Sequence, residues 1–281
     1  MQILNKIKNL VKKIPYIAYW ARVIIYQIIL MKTNKHPEGY FFSGTFLMET
    51  GRFEIEETIV VKNQLSKSDR LINIGANVGY YVCIAMKMGK EVTAFEPLHS
   101  NLNILYKNLI LNKWDKGVEI FPVALGSASA LEKLYGYGTG ASLIKKWAGS
   151  DLQHYRVVPT VLLDNSISQR FTKEKLLIVA DIEGYELEML YGAEKTLQLN
   201  PKPIWIIEVS FTEHIPDNNI KKIENAKKLF SLMWKNGYKS YFADNNYVEI
   251  TPKIFKKIIT NKSMILSSNN FIFADKKHIL N

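Results

Sequence analysis

Short apolar runs of strand length alternate with helix-like stretches over most of this chain, and that alternation constrains the fold more than any other feature. Residues 54–65 read as a helix with Ile55, Ile59 and Leu65 as core contacts, and 66–70 as a polar break. Strand-like runs follow at 71–74, 91–95, 118–124, 157–163, 176–180, 203–209, 238–242 and 270–274. Helices are predicted over 80–88, 99–111, 187–199 and 220–236, the last closed by Gly237. Residues 126–150, rich in Gly, Ser and Ala, read as an insertion with short β pieces. Strands joined by helices make a mostly parallel α/β sheet covered on both faces. A chain of 281 residues that is 47% hydrophobic has the material for such a core, which excludes a disordered chain. Ligands of these sheets bind outside the carboxyl ends of the strands, so the residues after each strand are the candidate functional ones.

The turn signal His36-Pro37-Glu38-Gly39 divides an N-terminal segment, 1–36, from a domain at 37–281. The net charge of +11 divides there too. Residues 1–36 carry +7 with no acidic residue, residues 251–281 carry +5, and the body between them carries −1. A near-neutral body argues against a nucleic-acid partner, which needs a basic stripe. Lys6, Lys8, Lys12 and Lys13 precede a stretch, 14–31, in which 15 of 18 residues are apolar or aromatic. A membrane-spanning helix would place Arg22 mid-span at a cost of about 2.5–3.5 kcal/mol. A secretory signal would need small residues at a cleavage site, and 30–33 offers none. Two readings stand level: a helix packed on the domain, or an interfacial helix that associates residues 1–31 with the cytoplasmic face of a membrane. The expected location is cytoplasmic, with that association left open.

One cysteine, Cys83, rules out an internal disulfide framework and reads as a buried structural thiol. Five histidines (36, 99, 154, 214 and 278) form no metal-binding pair. The strongest local signal is the first strand, which ends in Asn73-Ile74-Gly75-Ala76-Asn77-Val78-Gly79 and leads into a helix. Gly75 permits a tight turn and close approach to a ligand, and Gly79 lets the helix pack near the loop. The second strand ends at Glu96, 21 residues after Gly75, where an acidic side chain accepts ribose hydroxyls. A dinucleotide site wants glycine at position 77 to admit a pyrophosphate, and this chain has Asn77. S-adenosylmethionine has no pyrophosphate, so the pattern favours it over NAD.

These residues carry a family resemblance. The run from Asn73 to Tyr81 resembles the first motif of the FkbM-type methyltransferases. Phe95-Glu96-Pro97 with Asn101, Leu105, Asn108 and Asn112 is similar to their second block. Ala124-Leu125-Gly126, the loop from Gly140 to Leu143, and Leu163-Asp164 resemble weaker middle blocks. Ala180-Asp181-Ile182-Glu183-Gly184-Tyr185-Glu186, with Leu190 and Gly192-Ala193, resembles the family's most distinctive signature, and 203–208 the strand after it. The likeness spans about residues 50–275. It implies a Rossmann-like methyltransferase fold with a seven-stranded sheet whose last strand is antiparallel, S-adenosylmethionine as methyl donor, and a hydroxyl acceptor. The family generally has Asp where this chain has Asn73, which keeps an acceptor but loses a charge.

Methyl transfer is an in-line displacement, so the enzyme aligns the acceptor and activates it with a base or a metal. Asp181 and Glu183 are the candidate catalytic pair, since in extended chain they share a face and mutual repulsion would raise one pKa. Alternatively Glu183 caps the helix starting near Gly184. With Asp164 or Glu208 the pair would hold a divalent cation, and the metal requirement stays open. His214 is a further candidate base. Ser142 and Glu208 are placed in the acceptor pocket. Cofactor contacts are expected from Asn73, Gly75, Asn77, Gly79 and Glu96, with Ala124 and Leu125 at the adenine. The acceptor is expected to be a small molecule or a glycan. An RNA or protein methyltransferase, and a non-catalytic S-adenosylmethionine-binding scaffold, are the competing functions.

Overall fold

The computed structural model describes residues 15–275 apart from 115, 151, 168, 212–218, 245 and 261–268. A seven-stranded sheet organises them. Its strands are β1 (Arg70–Ile74), β2 (Glu91–Phe95), β3 (Val118–Phe121), β4 (Leu176–Ala180), β5 (Ile204–Glu208), β6 (Lys239–Phe242) and β7 (Asn270–Ala274). They lie in the order 3-2-1-4-5-7-6. β7 runs antiparallel to both β5 and β6, and the other pairings are parallel. The strand order reverses between β1 and β4, which opens a crevice at their carboxyl ends.

The central strands are buried on both faces, which is why they read as continuous apolar runs rather than as alternation. Successive residues still serve opposite layers. Leu71, Val92, Val179 and Ile206 face one core, and Ile72, Phe95, Ile178 and Ile207 the other. The first layer contains α1 (Pro15–Met31), α2 (Ile55–Ser66), α3 (Tyr80–Lys87) and α4 (His99–Leu111). The second contains α5 (Glu186–Tyr191), α6 (Asn219–Lys235) and α7 (Pro252–Thr260). No helix among the described residues is long and apolar enough to cross a membrane. α1 lies on the domain, with Tyr26 and Ile29 buried and Tyr19 and Val23 packed against the core.

Three expectations need correction, and one helix was not expected. The run 118–124 is not one strand: β3 ends at Phe121, before Pro122, whose missing N–H cannot extend the ladder. Ala124–Leu125 instead joins a separate three-stranded sheet with Ala130–Tyr135 and Tyr155–Val161. The helix expected over 187–199 is only Glu186–Tyr191 followed by a turn at Thr196–Gln198. It stops at Gly192, where a side chain would come within 2.1 Å of the Gly126 carbonyl oxygen. In α2 the buried face is Glu57, Val60, Val61, Gln64 and Leu65, while Ile55 and Ile59 are exposed. α7 was absent from the sequence reading, although Thr251 caps it and Pro252 occupies its first turn.

Candidate active site

A cleft opens where β1, β2 and β4 end. On its first side, Gly75 (φ 78°), Asn77 (φ 51°) and Gly79 (φ 88°) turn the chain from β1 into α3. Gly75 is required by contact as well as by conformation: a β-carbon there would lie 2.0 Å from the Asp181 carbonyl oxygen. The loops after β1 and β4 therefore touch backbone to backbone.

Glu96 is buried under this loop. Oε2 accepts the Asn77 N–H at 2.8 Å. Oε1 accepts the Leu98 N–H at 2.8 Å and Nδ2 of Asn101 at 3.1 Å. Burial pushes its pKa up to about 7 against the opposing pull of these bonds. Of about four lone-pair positions on a carboxylate, the chain uses three, leaving one toward the cleft. The side-chain oxygens of Asn73, Asn77 and Asn101 are buried at the cleft wall without a partner among the described residues. Val123, Ala124 and Leu125 close the far end.

On the second side, the chain after β4 departs from the expected geometry. Glu183 is not extended but left-handed (φ 56°), so it does not share a face with Asp181. Its carboxylate instead accepts the indole N–H of buried Trp147, whose ring fills the space beside Gly184. Nor does Glu183 cap the helix. Glu186 holds this turn, its Oε1 accepting the N–H groups of Ile182 at 3.1 Å and Gly184 at 3.0 Å. Burial raises the Glu186 pKa to about 7.

The carboxylate partner of Asp181 is Glu208, at the end of β5. The Asp181 charge, then burial, then the hydrogen bond between the two push Glu208 far above the usual carboxylate range. Glu208 thus keeps its proton at neutral pH and donates it toward Asp181. Near this pair lie Glu54, on the exposed side of the α2 entry, and buried Glu57, both raised, first by desolvation and further by the neighbouring acids. The Tyr81 hydroxyl donates to Glu54 at 3.2 Å, and Asn270, paired with Glu208 across β5 and β7, donates to Glu57. The sequence reading missed Glu54, Glu57, Tyr81, Asn270, Glu186 and Trp147. Tyr81 and Glu186 lay inside quoted motifs but were given no role, and nothing in the spacing of Glu54, Glu57, Asn270 or Trp147 places them beside residue 181.

Ser142 lines the cleft and is buried, but its hydroxyl is engaged by the chain. It donates to the Glu183 carbonyl at 2.8 Å and accepts the Ile144 N–H at 3.0 Å. Asp164 is not among the residues that line the cleft. It ties down Lys195 and Thr196, accepting the Lys195 N–H at 2.7 Å and the Thr196 hydroxyl at 2.7 Å. The cation-binding set of Asp181, Glu183, Asp164 and Glu208 is therefore not assembled. Among the described residues no group of three or more His, Cys, Asp and Glu side chains is placed to hold a metal ion. His214 lies outside the described residues. Cys83 is fully buried, and burial raises its thiol pKa, as an inert core thiol requires.

The family profile described as "Methyltransferase FkbM domain" matches residues 73–240, more than half of the chain. Among solved structures, the chain is similar to methyltransferase FkbM from Methylobacillus flagellatus KT, at 13% identity and a TM-score of 0.45, covering 90% of this chain and 59% of that one. It is also similar to precorrin-6y C5,15-methyltransferase from Geobacter metallireducens GS-15, at 11% identity and a TM-score of 0.42, over 83% of this chain and 91% of that one. A third likeness is to the Podospora anserina methyltransferase PaMTH1, bound to SAH, at 8% identity and a TM-score of 0.40, over 79% and 78% of the two chains. No curated protein matches by sequence.

Proposed function

Because this chain belongs to the FkbM methyltransferase family, whose members use S-adenosylmethionine, we propose that it moves the methyl group to a hydroxyl of a small molecule or glycan, with Asp181 as the general base. The residues of the first half of the cleft fit the donor. Its methionine ammonium, ribose hydroxyls and adenine amine are all hydrogen-bond donors, and the wall offers unpartnered oxygens on Asn73, Asn77 and Asn101 with one free position on Glu96. When bound, S-adenosylmethionine supplies an electrophilic methyl group on a sulfonium.

The observation that carries the reading is the position of Asp181, which lines the cleft at the end of β4, with Glu208 at the end of β5 near enough for the Asp181 charge to push its pKa up. The charge of Asp181, with burial second, favours the protonated form of Glu208. Asp181, the more exposed of the pair, lines the cleft. An ionised carboxylate there accepts the proton of an acceptor hydroxyl as its oxygen attacks, which fits general-base activation. Phe53 and Tyr81 line the same side and, with the carboxyl and amide groups behind them, suit a polyhydroxylated acceptor.

The test pairs calorimetry with turnover. Wild type and Asp181→Asn are titrated with S-adenosylmethionine, then assayed for methyl transfer to a panel of polyols, phenols and saccharides. The substitution is expected to cut turnover about 10²–10⁴-fold, the range for loss of a general base, with cofactor affinity intact. An Asp181→Asn protein that turns over at the wild-type rate would remove the residue from the mechanism.

A further inference from the structure

Helix α1 is apolar nearly all round, and such a helix in a water-soluble setting is covered on every side. Among the described residues, one side of it is packed on the domain. On that side Tyr19 stacks on His154 at 4.2 Å and accepts a hydrogen bond from Arg156 at 3.1 Å. Tyr26 seals the Gly138 turn so closely that a β-carbon on Gly138 would lie 2.5 Å from its ring. The opposite face carries Trp20, Ile24, Ile28 and Met31 at helical spacing, with Ile25 beside them. They are 46%, 59%, 46%, 84% and 51% exposed respectively, far more than isolated surface apolar residues would explain.

We propose that this outer face of α1 docks on an anionic lipid bilayer. The chemistry of its flanks selects that occupant over another protein surface. Lys32 and Lys35 stand exposed directly after the helix, four lysines precede it, and no acidic residue occurs in 1–36. A bare apolar stripe held between clusters of one sign of charge matches hydrocarbon beneath anionic headgroups. The helix would lie along the surface, because Tyr19, Val23, Tyr26 and Ile29 hold its inner face on the domain over its length. Its inner face packs on the turn at Gly138 that walls the cleft, so docking sets the cleft beside the lipid surface. The proposal does not rest on which acceptor is methylated.

The experiment floats the full chain with phosphatidylglycerol-rich vesicles and with phosphatidylcholine vesicles, at low and high salt. Binding is expected to the first and not the second, and to weaken with salt. Ile24→Ser/Ile28→Ser/Met31→Ser should lower vesicle affinity ~100-fold, from the lost apolar burial. Lys32→Gln/Lys35→Gln should lower it about fivefold per lysine removed. Both variants should keep the wild-type melting temperature and S-adenosylmethionine affinity, which separates failed docking from a failed fold or a failed methyltransferase reading. Wild-type protein that does not float with phosphatidylglycerol, or a triple-serine variant that floats as well as wild type, overturns the proposal. So does a concentration-dependent wild-type dimer that the triple-serine variant converts to monomer, because a second copy would then be the occupant.

Discussion

The two halves of the cleft are built by opposite means. The half after β1 and β2 consists of backbone, glycines and neutral amides, with a single carboxyl group bonded to its own loop. Its contributors lie between residues 73 and 101, with Ala124 and Leu125 added. The half after β4 and β5 is dense in acids. Glu54 and Glu57, Asp181, and Glu208 come from three separated stretches, and each of the four raises or is raised by another. A group that recurs in every turnover can be met by a local loop of fixed shape. Chemistry at the acceptor needs charge poised by its neighbours, and that takes residues the fold brings together from afar.

The halves meet at Gly75, so its replacement has the largest expected effect. Gly75→Ala forces a β-carbon into the Asp181 carbonyl oxygen, backbone against backbone, at a positive φ that disfavours any side chain. We expect a loss of about 4 kcal/mol or more, read as a large fall in melting temperature with cofactor affinity lost. A Gly75→Ala protein with wild-type melting and affinity would mean that the two loops are free to separate.

Glu96→Gln comes next and acts on the first half alone. It removes the charged acceptor but keeps the oxygen that receives the Asn77 N–H. We expect S-adenosylmethionine affinity to fall roughly 10–30-fold, about the worth of a hydrogen bond to a charged group, with little change in turnover at saturation. With its pKa near 7, Glu96 ionises as pH rises from 6 to 8, so wild-type affinity should climb through that window and the variant's should stay flat. The sign for stability is the reverse. A carboxyl raised from 4.5 to about 7 on folding favours the folded state below 4.5, and that advantage is lost as pH rises through 7. Glu186 follows the same rule, so Glu186→Gln should raise the melting temperature at pH 8.5 and leave it unchanged at pH 4.

The contrast also explains what could be read from the chain alone. The alternation of strands and helices and the glycine loop were legible because each depends on residues close in sequence, whereas the antiparallel last strand, paired over a long sequence distance, came only from the family resemblance. The strand that breaks at Pro122 and the helix that stops at Gly192 were not, because a long-range backbone contact or a change of sheet decides them. The acid pairing failed for a related reason. Extended geometry puts Asp181 and Glu183 on one face, but Gly184 (φ 95°) and Glu183 (φ 56°) turn the chain out of the strand, and Trp147, 36 residues away, captures the second carboxylate. No spacing rule over 181–186 announces that turn. It is fixed from behind by Glu186, which reaches back to Ile182 and Gly184.

The smallest effects discriminate most finely between the two pairings of Asp181. Glu208 already carries a proton at neutral pH, so Glu208→Gln replaces one neutral donor with another. Turnover should fall less than tenfold, and the pH–rate profile should change shape because the Asp181 pKa loses its partner. Glu183→Gln should do less still. The amide oxygen of the glutamine can accept the same indole N–H from Trp147, and the Ser142 hydrogen bond is made to the Glu183 backbone carbonyl, which the substitution leaves in place. We therefore expect turnover within about threefold of wild type, set against the loss of 10²–10⁴ at Asp181→Asn. If instead Glu183→Gln fell as far as Asp181→Asn while Glu208→Gln stayed fully active with an unaltered profile, Glu183 would be the working partner. The indole bond would then be a resting position that the carboxylate leaves when an acceptor binds.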